Sequence, residues 1–569
     1  MTRQLSARAA ATAACLSLAI ATLATPDVAR ACGGFFTAGE DGVETATVDQ
    51  TGENLIYALN GDSVEVHIQV RYDPNTDATS FAWVVPLLAV PSFSVGSEPL
   101  FDNVLSGSAP SYQLESRSVL CEDEGETDTG GSSQVGSSGT GDTGGPVGPE
   151  ILHRETVGVY DIVVLSDGDA ASLMQWLGDN GYEQDPAAEP ILAEYLAEGY
   201  LFAAFKLTRG VEVDQLHPVV LTYETGEACV PIRLTRIAAA EDLDIRTFFL
   251  ADTRVAPTNY RHVEINPLAI DWLNLDDIAE SYKTVISEAV DEPGAEGHAF
   301  VTEYAGPSSV IDTSGIYRET WDASALEGAD PATAVDVLMS QAVLSCEPPD
   351  TCEFRHPLIE GLLGQFIPVP AGVTPGQFYS CLSCYEALID DAAWDSVAFA
   401  AAYEERIVEP GARARALLDT WPYLTRMYTT ISPDEMLVDP IFHPSASLPD
   451  FDVTRSATRD FNCDFSSVVT LADGREVYIG PDGRWPTFGG EMPRAQRVAT
   501  VPAAGAPITL VDNTARINEL LEAWNKEAAE RGAFDSQSGC GCDVAARPTG
   551  ALLLGVLGLC LARRRRVGA

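Results

Sequence analysis

The chain has 569 residues, 46% of them apolar, enough to bury several cores, and its length sets two to four domains as the expectation. Its 84 Asp and Glu stand against 34 Lys and Arg, a formal net charge of −50. A surface of that sign repels a polyanion and argues against nucleic acid as a partner.

Arg3 and Arg8 precede the apolar run "AAATAACLSLAIATLA", and Ala29 and Ala31 are small residues at the two positions a signal peptidase reads. Residues 1–31 therefore read as a signal peptide, with the mature chain beginning at Cys32. Val64, Val66, Ile68 and Val70 alternate with Glu65, His67, Gln69 and Arg71, the period of a half-buried strand whose polar face, His67 included, is expected in solvent. "FAWVVPLLAV" is the next strand, ended by Pro91. From Glu122 to Glu150 the chain is mostly Gly, Ser, Thr and acids, with Val135 and Val147 its only large aliphatics; such a stretch is predicted to be a disordered loop.

"VGVYDIVVL" reads as a strand, and Ala170, Leu173, Met174 and Leu177 fall at helical spacing after it. A second helix follows Pro190. "YLFAAFKL", "PVVLTY" and "VPIRLTRIAAA" read as strands, with "LDIRTFFL" pairing nearby. Ile278, Tyr282, Val285, Ile286 and Ala289 form a helical core stripe, and further helical segments are predicted around 333–342 and 385–420. "VVTLADGREVYIGPDGRWP" reads as strands joined by turns at Asp473 and Asp482, and Ile517, Leu520, Leu521 and Trp524 mark a last amphipathic helix. The fold class is α+β: a β-rich N-terminal domain of sandwich-like antiparallel strands with a few helices, then a mixed helical and β region. The expected divisions are 32–266, 267–535 and 536–569, with a further boundary near 345. The apolar run Gly550 to Ala562 would span about 20 Å as a helix, short of the roughly 30 Å hydrocarbon core, and Arg563 to Arg566 would stay on the cytoplasmic side.

Of twelve cysteines, Cys15 and Cys560 lie in the two apolar runs and Cys540 and Cys542 stand before the second. The others, Cys32, Cys121, Cys229, Cys346, Cys352, Cys381, Cys384 and Cys463, are disulfide candidates in an exported chain. The spacing of Cys346, Cys352, Cys381 and Cys384 would also suit tetrahedral zinc, with His356 near enough to join, and "CLSC" would suit redox exchange; disulfides are the preferred reading, and a surface position is the expectation for His356. "SPDEM", with Asp439 beyond it, gathers carboxylates, but Ser432, Pro433 and Glu435 form a capping box, so a helix start is expected there instead of catalysis. Asp276 and Asp277 read as a solvated helix start. No catalytic or metal residue is assigned and no cofactor is predicted, while calcium stays open because hard oxygen ligands abound.

"ACGGFF", "FAWVVPL", "WLGDNGY", "VPIRLTRIAAAEDLDIRTFFL" and "APTNY", in that order from Cys32 to about Asn266, resemble domain-of-unknown-function family 2330 of exported bacterial proteins. "FVTEYAG" and "YLTRMYTTISPDEMLVDPIF" are similar to segments of longer myxobacterial members. The resemblance implies export and carries no activity, substrate or catalytic residue. The tail resembles the MYXO-CTERM sorting signal, which implies a sorting protease as partner, removal of the tail, and processing or lipid attachment at Cys540 or Cys542 on the way to the cell surface or outer envelope. A plain membrane anchor is the alternative. The expected function is that of an envelope-anchored, non-enzymatic binding or structural protein; the alternative is a secreted hydrolase using acidic residues.

Overall fold

The computed structural model describes residues 34–35, 50–61, 63–72, 82–118, 150–166, 168–180, 186–208, 215–223, 228–237, 239–390, 392–462, 465–488 and 491–538. In chain order the first half gives β1 (Gly34–Phe35), β2 (Gln50–Asn60), β3 (Ser63–Tyr72), β4 (Ala82–Leu87), β5 (Ser92–Val95), α1 (Glu98–Gly107), β6 (Ser111–Ser118), β7 (Glu150–Val157), β8 (Tyr160–Ser166), α2 (Ala170–Asp179), α3 (Ala188–Ala197), β9 (Leu201–Leu207), β10 (Val219–Tyr223), β11 (Ala228–Cys229), β12 (Leu243–Ala251), β13 (Val255–Pro257), β14 (Arg261–Ile265) and α4 (Ile278–Val290). The second half gives β15 (Ala299–Pro307), α5 (Pro331–Ser340), β16 (Leu344–Glu347), β17 (Thr351–Phe354), α6 (Ile359–Phe366), α7 (Pro375–Ser380), α8 (Ser396–Tyr403), α9 (Glu409–Thr420), β18 (Tyr423–Ile431), β19 (Ile441–Pro444), β20 (Thr454–Phe461), β21 (Ser467–Leu471), β22 (Glu476–Ile479), β23 (Ala495–Thr500), β24 (Ile508–Asp512) and α10 (Thr514–Ser538).

Ten strands form the central sheet in the order β24-β23-β14-β15-β18-β12-β2-β3-β10-β5, so strands from both sides of residue 266 share it. One face carries Tyr57, Val66, Ile68 and Phe249, which pack on Trp83, Val85, Ile162 and Phe205 of a five-stranded sheet ordered β1-β4-β9-β8-β7. Alternation along each strand sends the other residues outward. On the five-stranded sheet these are Val84, Val163 and Ala204, covered by α2 and α3 through Leu173, Leu177 and Ile191. On the ten-stranded sheet they are Ile56, Phe248 and Leu250 beneath α1, and Val263 and Val301 beneath α4. The sandwich is therefore wrapped by helices on both outer faces, α+β with a strand-rich N-terminal part. A four-stranded sheet, β22-β21-β20-β6, packs against α10 through Val469, Ile479, Ile517 and Leu521.

The helices begin where the side chains allow. Asp169 caps α2 by accepting from the Ser172 amide at 2.8 Å, and Asp330 caps α5 ahead of Pro331. The Asp473 turn joins β21 to β22, with Gly474 at a positive φ of 85° that suits glycine; the Asp482 turn follows β22 and leads into no strand. "FAWVVPLLAV" stops as a strand at Leu87, and the chain past Pro91 enters the other sheet as β5. "VPIRLTRIAAA" is not a strand. Pro231 has no amide hydrogen, Val230 N donates to Pro440 O, Arg233 N donates to the Asp439 side chain, and Ile232 N and Ile237 N bond within the segment, so these amides form no ladder beyond β11. "LDIRTFFL", β12, pairs instead with β18 antiparallel and β2 parallel.

Residues 308–422 are inserted between β15 and β18, which are sheet neighbours; Ser308 N donates to Pro422 O at 3.0 Å where the chain leaves and returns. The insert holds its own core of Leu326, Leu338, Leu362, Phe378, Phe399 and Tyr403. Two disulfides staple it: Cys346–Cys352 across the β16–β17 hairpin, where the two residues face each other, and Cys381–Cys384 in the turn after α7. Peptide mapping without reduction is expected to recover these two pairings; four free thiols, or zinc held by them, would overturn the assignment. Cys229 is half-buried on β11, whereas Cys32, Cys121, Cys463, Cys540 and Cys542 lie outside the described residues, as does 122–149, with Glu150 opening β7. Among the described residues no helix is long and apolar enough to cross a membrane, and Gly550 to Ala562 lies beyond them.

Candidate functional site

Glu65, His67 and Gln69 of β3 point to the face that α1 and α9 cover. His67 is accordingly buried, 1% exposed, where the alternation alone suggested solvent. Its Nε2 meets Glu65 Oε1 at 2.9 Å. Burial pushes the Glu65 carboxyl up, but the contact with His67 and the charge of Arg413 outweigh it and hold the carboxyl below its usual range.

A cleft of about 310 Å³ opens beside this pair, between the tip of the β2–β3 hairpin and α9. Its two walls follow from two periodicities. Ala58 pairs with Glu65 and Asn60 with Ser63, so these four side chains share one face of the hairpin. On α9, Arg413, Ala416, Leu417 and Thr420 recur at i, i+3, i+4 and i+7, one helical stripe, and Trp421 closes the end. Arg413 Nη1 donates to Ser94 Oγ at 2.5 Å and to Val95 O at 3.3 Å, which fixes the guanidinium against β5. A carboxylate and a guanidinium, each held from behind, thus line one small polar opening.

Farther along the same face Asn54 Nδ2 donates to Gln69 Oε1 at 2.7 Å, and Gln69 Nε2 donates to Glu98 Oε1 at 2.6 Å. Glu98 starts α1, where the helix dipole favours a carboxylate, but burial and then the charge of Asp102 push its carboxyl up to about 7 against the Gln69 hydrogen bond. The folded value lies above the unfolded one. Glu98 therefore contributes stability that is complete at low pH and is lost as pH rises through about 7. Glu98→Gln is expected to gain about 1–2 kcal/mol on the wild type near pH 8 and nothing near pH 4, read from urea midpoints. A gain independent of pH would show that the carboxyl is not the cause.

The residues singled out in the sequence are dispersed. Ser432 and Glu435 make half of the expected capping box, Glu435 Oε2 accepting from Ser432 N at 2.8 Å, but the segment is a turn and no helix follows; Ser432 Oγ accepts from Asp242 N instead. Near that turn Asp291 is held up to about 6, first by burial and then by Glu435 and Asp242. Asp439 is buried and serves Arg233. His356 is 3% exposed and not a surface residue: its Nδ1 accepts from Leu358 N, its ring meets Trp321 edge-on, and burial drives its pKa down to about 3. Among the described residues no three His, Cys, Asp or Glu side chains gather as a metal ion would require. The cleft itself went unread because its walls are far apart in the chain, although the α9 stripe is visible in "RARALLDTW".

The family model described as an uncharacterized protein conserved in bacteria (DUF2330) matches residues 26–342, more than half of the chain and beyond Asn266 into the insert. No curated protein and no solved structure matches it.

Proposed function

This chain belongs to the DUF2330 family, and we propose that it is an exported, envelope-anchored binding protein whose ligand enters the cleft between the β2–β3 hairpin and α9. The observation that carries binding is that Glu65 and Arg413 both line that opening, each held in place by a second residue, His67 and Ser94. Fixing charged groups in advance lowers the entropy a ligand must overcome. Export is supported by the signal-like residues 1–31 and by the two disulfides, which persist where the surroundings are oxidising. Anchoring rests on the tail: "GCGC", a short apolar run and four arginines read as a sorting signal that is removed as the protein passes to the surface.

Mass spectrometry of surface-exposed protein from the native host tests the address. The mature chain is expected to lack Arg563 to Arg566 and to carry a hydrophobic attachment near Cys540 or Cys542. Replacing both cysteines with Ser should trap the uncleaved form in the inner membrane. An intact "ARRRRVGA" terminus on surface protein would sink the sorting reading, because a plain anchor must keep its arginines.

A further inference from the structure

We propose that the cleft takes a polyhydroxylated ligand, a saccharide unit, in preference to an anion, a peptide or an amino-acid zwitterion. The inference rests on the binding reading above. The unengaged polar groups of the lining decide the class. Among the described residues Glu65 Oε2 accepts no hydrogen bond, Arg413 Nε and Nη2 donate none, and the side chains of Asn60 and Ser63 make none. Thr420 donates to Ala416 O at 2.6 Å and so keeps its acceptor capacity, and among the described residues the Trp421 indole N–H donates to none.

Donors and acceptors thus line one opening together. A hydroxyl donates one hydrogen bond and accepts up to two, so a ring of adjacent hydroxyls is the ligand chemistry that can satisfy both kinds together. Leu417 and Trp421 offer the apolar surface that the C–H face of a sugar ring needs. A net anion would meet Glu65, which its neighbours keep ionised, and a net charge of −50 around it. A zwitterion would satisfy Glu65 and Arg413 but leave Asn60, Ser63 and the acceptor side of Thr420 unused. The volume, about 310 Å³, lies at the small end of ligand sites, and the opening is to solvent, which suits the end unit of a longer chain.

The test uses the full-length protein in detergent against an array of oligosaccharides, with glycylglycine as the zwitterionic probe and saturation-transfer NMR as the readout. A saccharide is expected to bind, with Glu65→Gln weakening it by about tenfold or more, the loss of a hydrogen bond to a charged group, and Asn60→Ala by about threefold, the loss of a neutral one. Asn60 is exposed at the hairpin tip, so its variant keeps the test valid if Glu65→Gln disturbs His67. Glycylglycine binding that Glu65→Gln abolishes, with no saccharide bound, would overturn the ligand class and leave the cleft as the binding site. A saccharide indifferent to both substitutions would overturn the site. Binding of neither probe type would overturn the saccharide inference and the cleft reading together.

Discussion

Glu303→Ala is expected to destabilise the protein by about 3–5 kcal/mol, the cost of leaving a buried charge without its partner. Glu303 is 2% exposed and Arg426, its ion-pair partner on β18, 5%. The pair exists because β15 slips register between Thr302 and Tyr304, and the extra residue of that bulge is Glu303, turned toward Arg426. Arg426 Nη1 also donates to Leu105 O at 2.7 Å, one of the carbonyls that the C-terminal end of α1 leaves without an intrahelical donor, and Arg455 Nη2 donates to Glu303 O at 2.7 Å. Removing the carboxylate strands the guanidinium among Phe248, Leu105 and Ser108. Replacing both members, Glu303→Leu with Arg426→Met, should cost less than the single change, since no charge is left behind; the Leu105 carbonyl loses its donor, and the Ser108 hydroxyl a long contact of 3.4 Å. Urea unfolding of the two variants decides it. A single variant within about 1 kcal/mol of the wild type would mean that water reaches the site.

What the sequence made legible were the elements whose pattern is local. α2, α4 and α10 lie where the 3.6 period of their apolar residues put them, because one buried face is enough to define a helix. β3 likewise alternates as read, Val64, Val66 and Ile68 facing the sandwich core. Its polar face misled, since alternation tells which residues share a face and not what covers it; α1 and α9 arrive there from later in the chain, and His67 is buried by them. The same limit hid the partners of β12, whose neighbours come from residues 50–60 and 423–431. It hid the cleft as well, where a hairpin and a helix far apart in sequence each contribute half. "VPIRLTRIAAA" failed for another reason: its residue types suit a strand, but a single buried acid, Asp439, takes the backbone and side chain of Arg233 together, and that tertiary contact overrides propensity.

That acid carries the second large effect. Asp439→Ala should cost about 3–5 kcal/mol and loosen the junction between α3 and the 436–444 segment. Oδ1 accepts from Arg233 N at 3.0 Å and from Tyr195 OH at 2.9 Å, and Oδ2 accepts from Arg233 Nε at 3.1 Å. The guanidinium lies 4.0 Å from the centre of the Tyr195 ring and reaches Glu198 with its two remaining nitrogens. Burial pushes the Asp439 carboxyl up even though Arg233 and Tyr195 pull it down, so the ion pair does not fully offset its own desolvation. Breaking it is nevertheless costly, because one acceptor serves three donors. Here the paired replacement behaves differently from Glu303 and Arg426: with Asp439→Leu and Arg233→Met the buried charges are gone and the half-exposed Glu198 turns to water, but the amide of residue 233 and the Tyr195 hydroxyl remain buried without an acceptor, each costing about 1–3 kcal/mol. The double variant should therefore stay well below the wild type in a urea titration, and recovery to within about 1 kcal/mol would show that the backbone of 230–237 can find another acceptor.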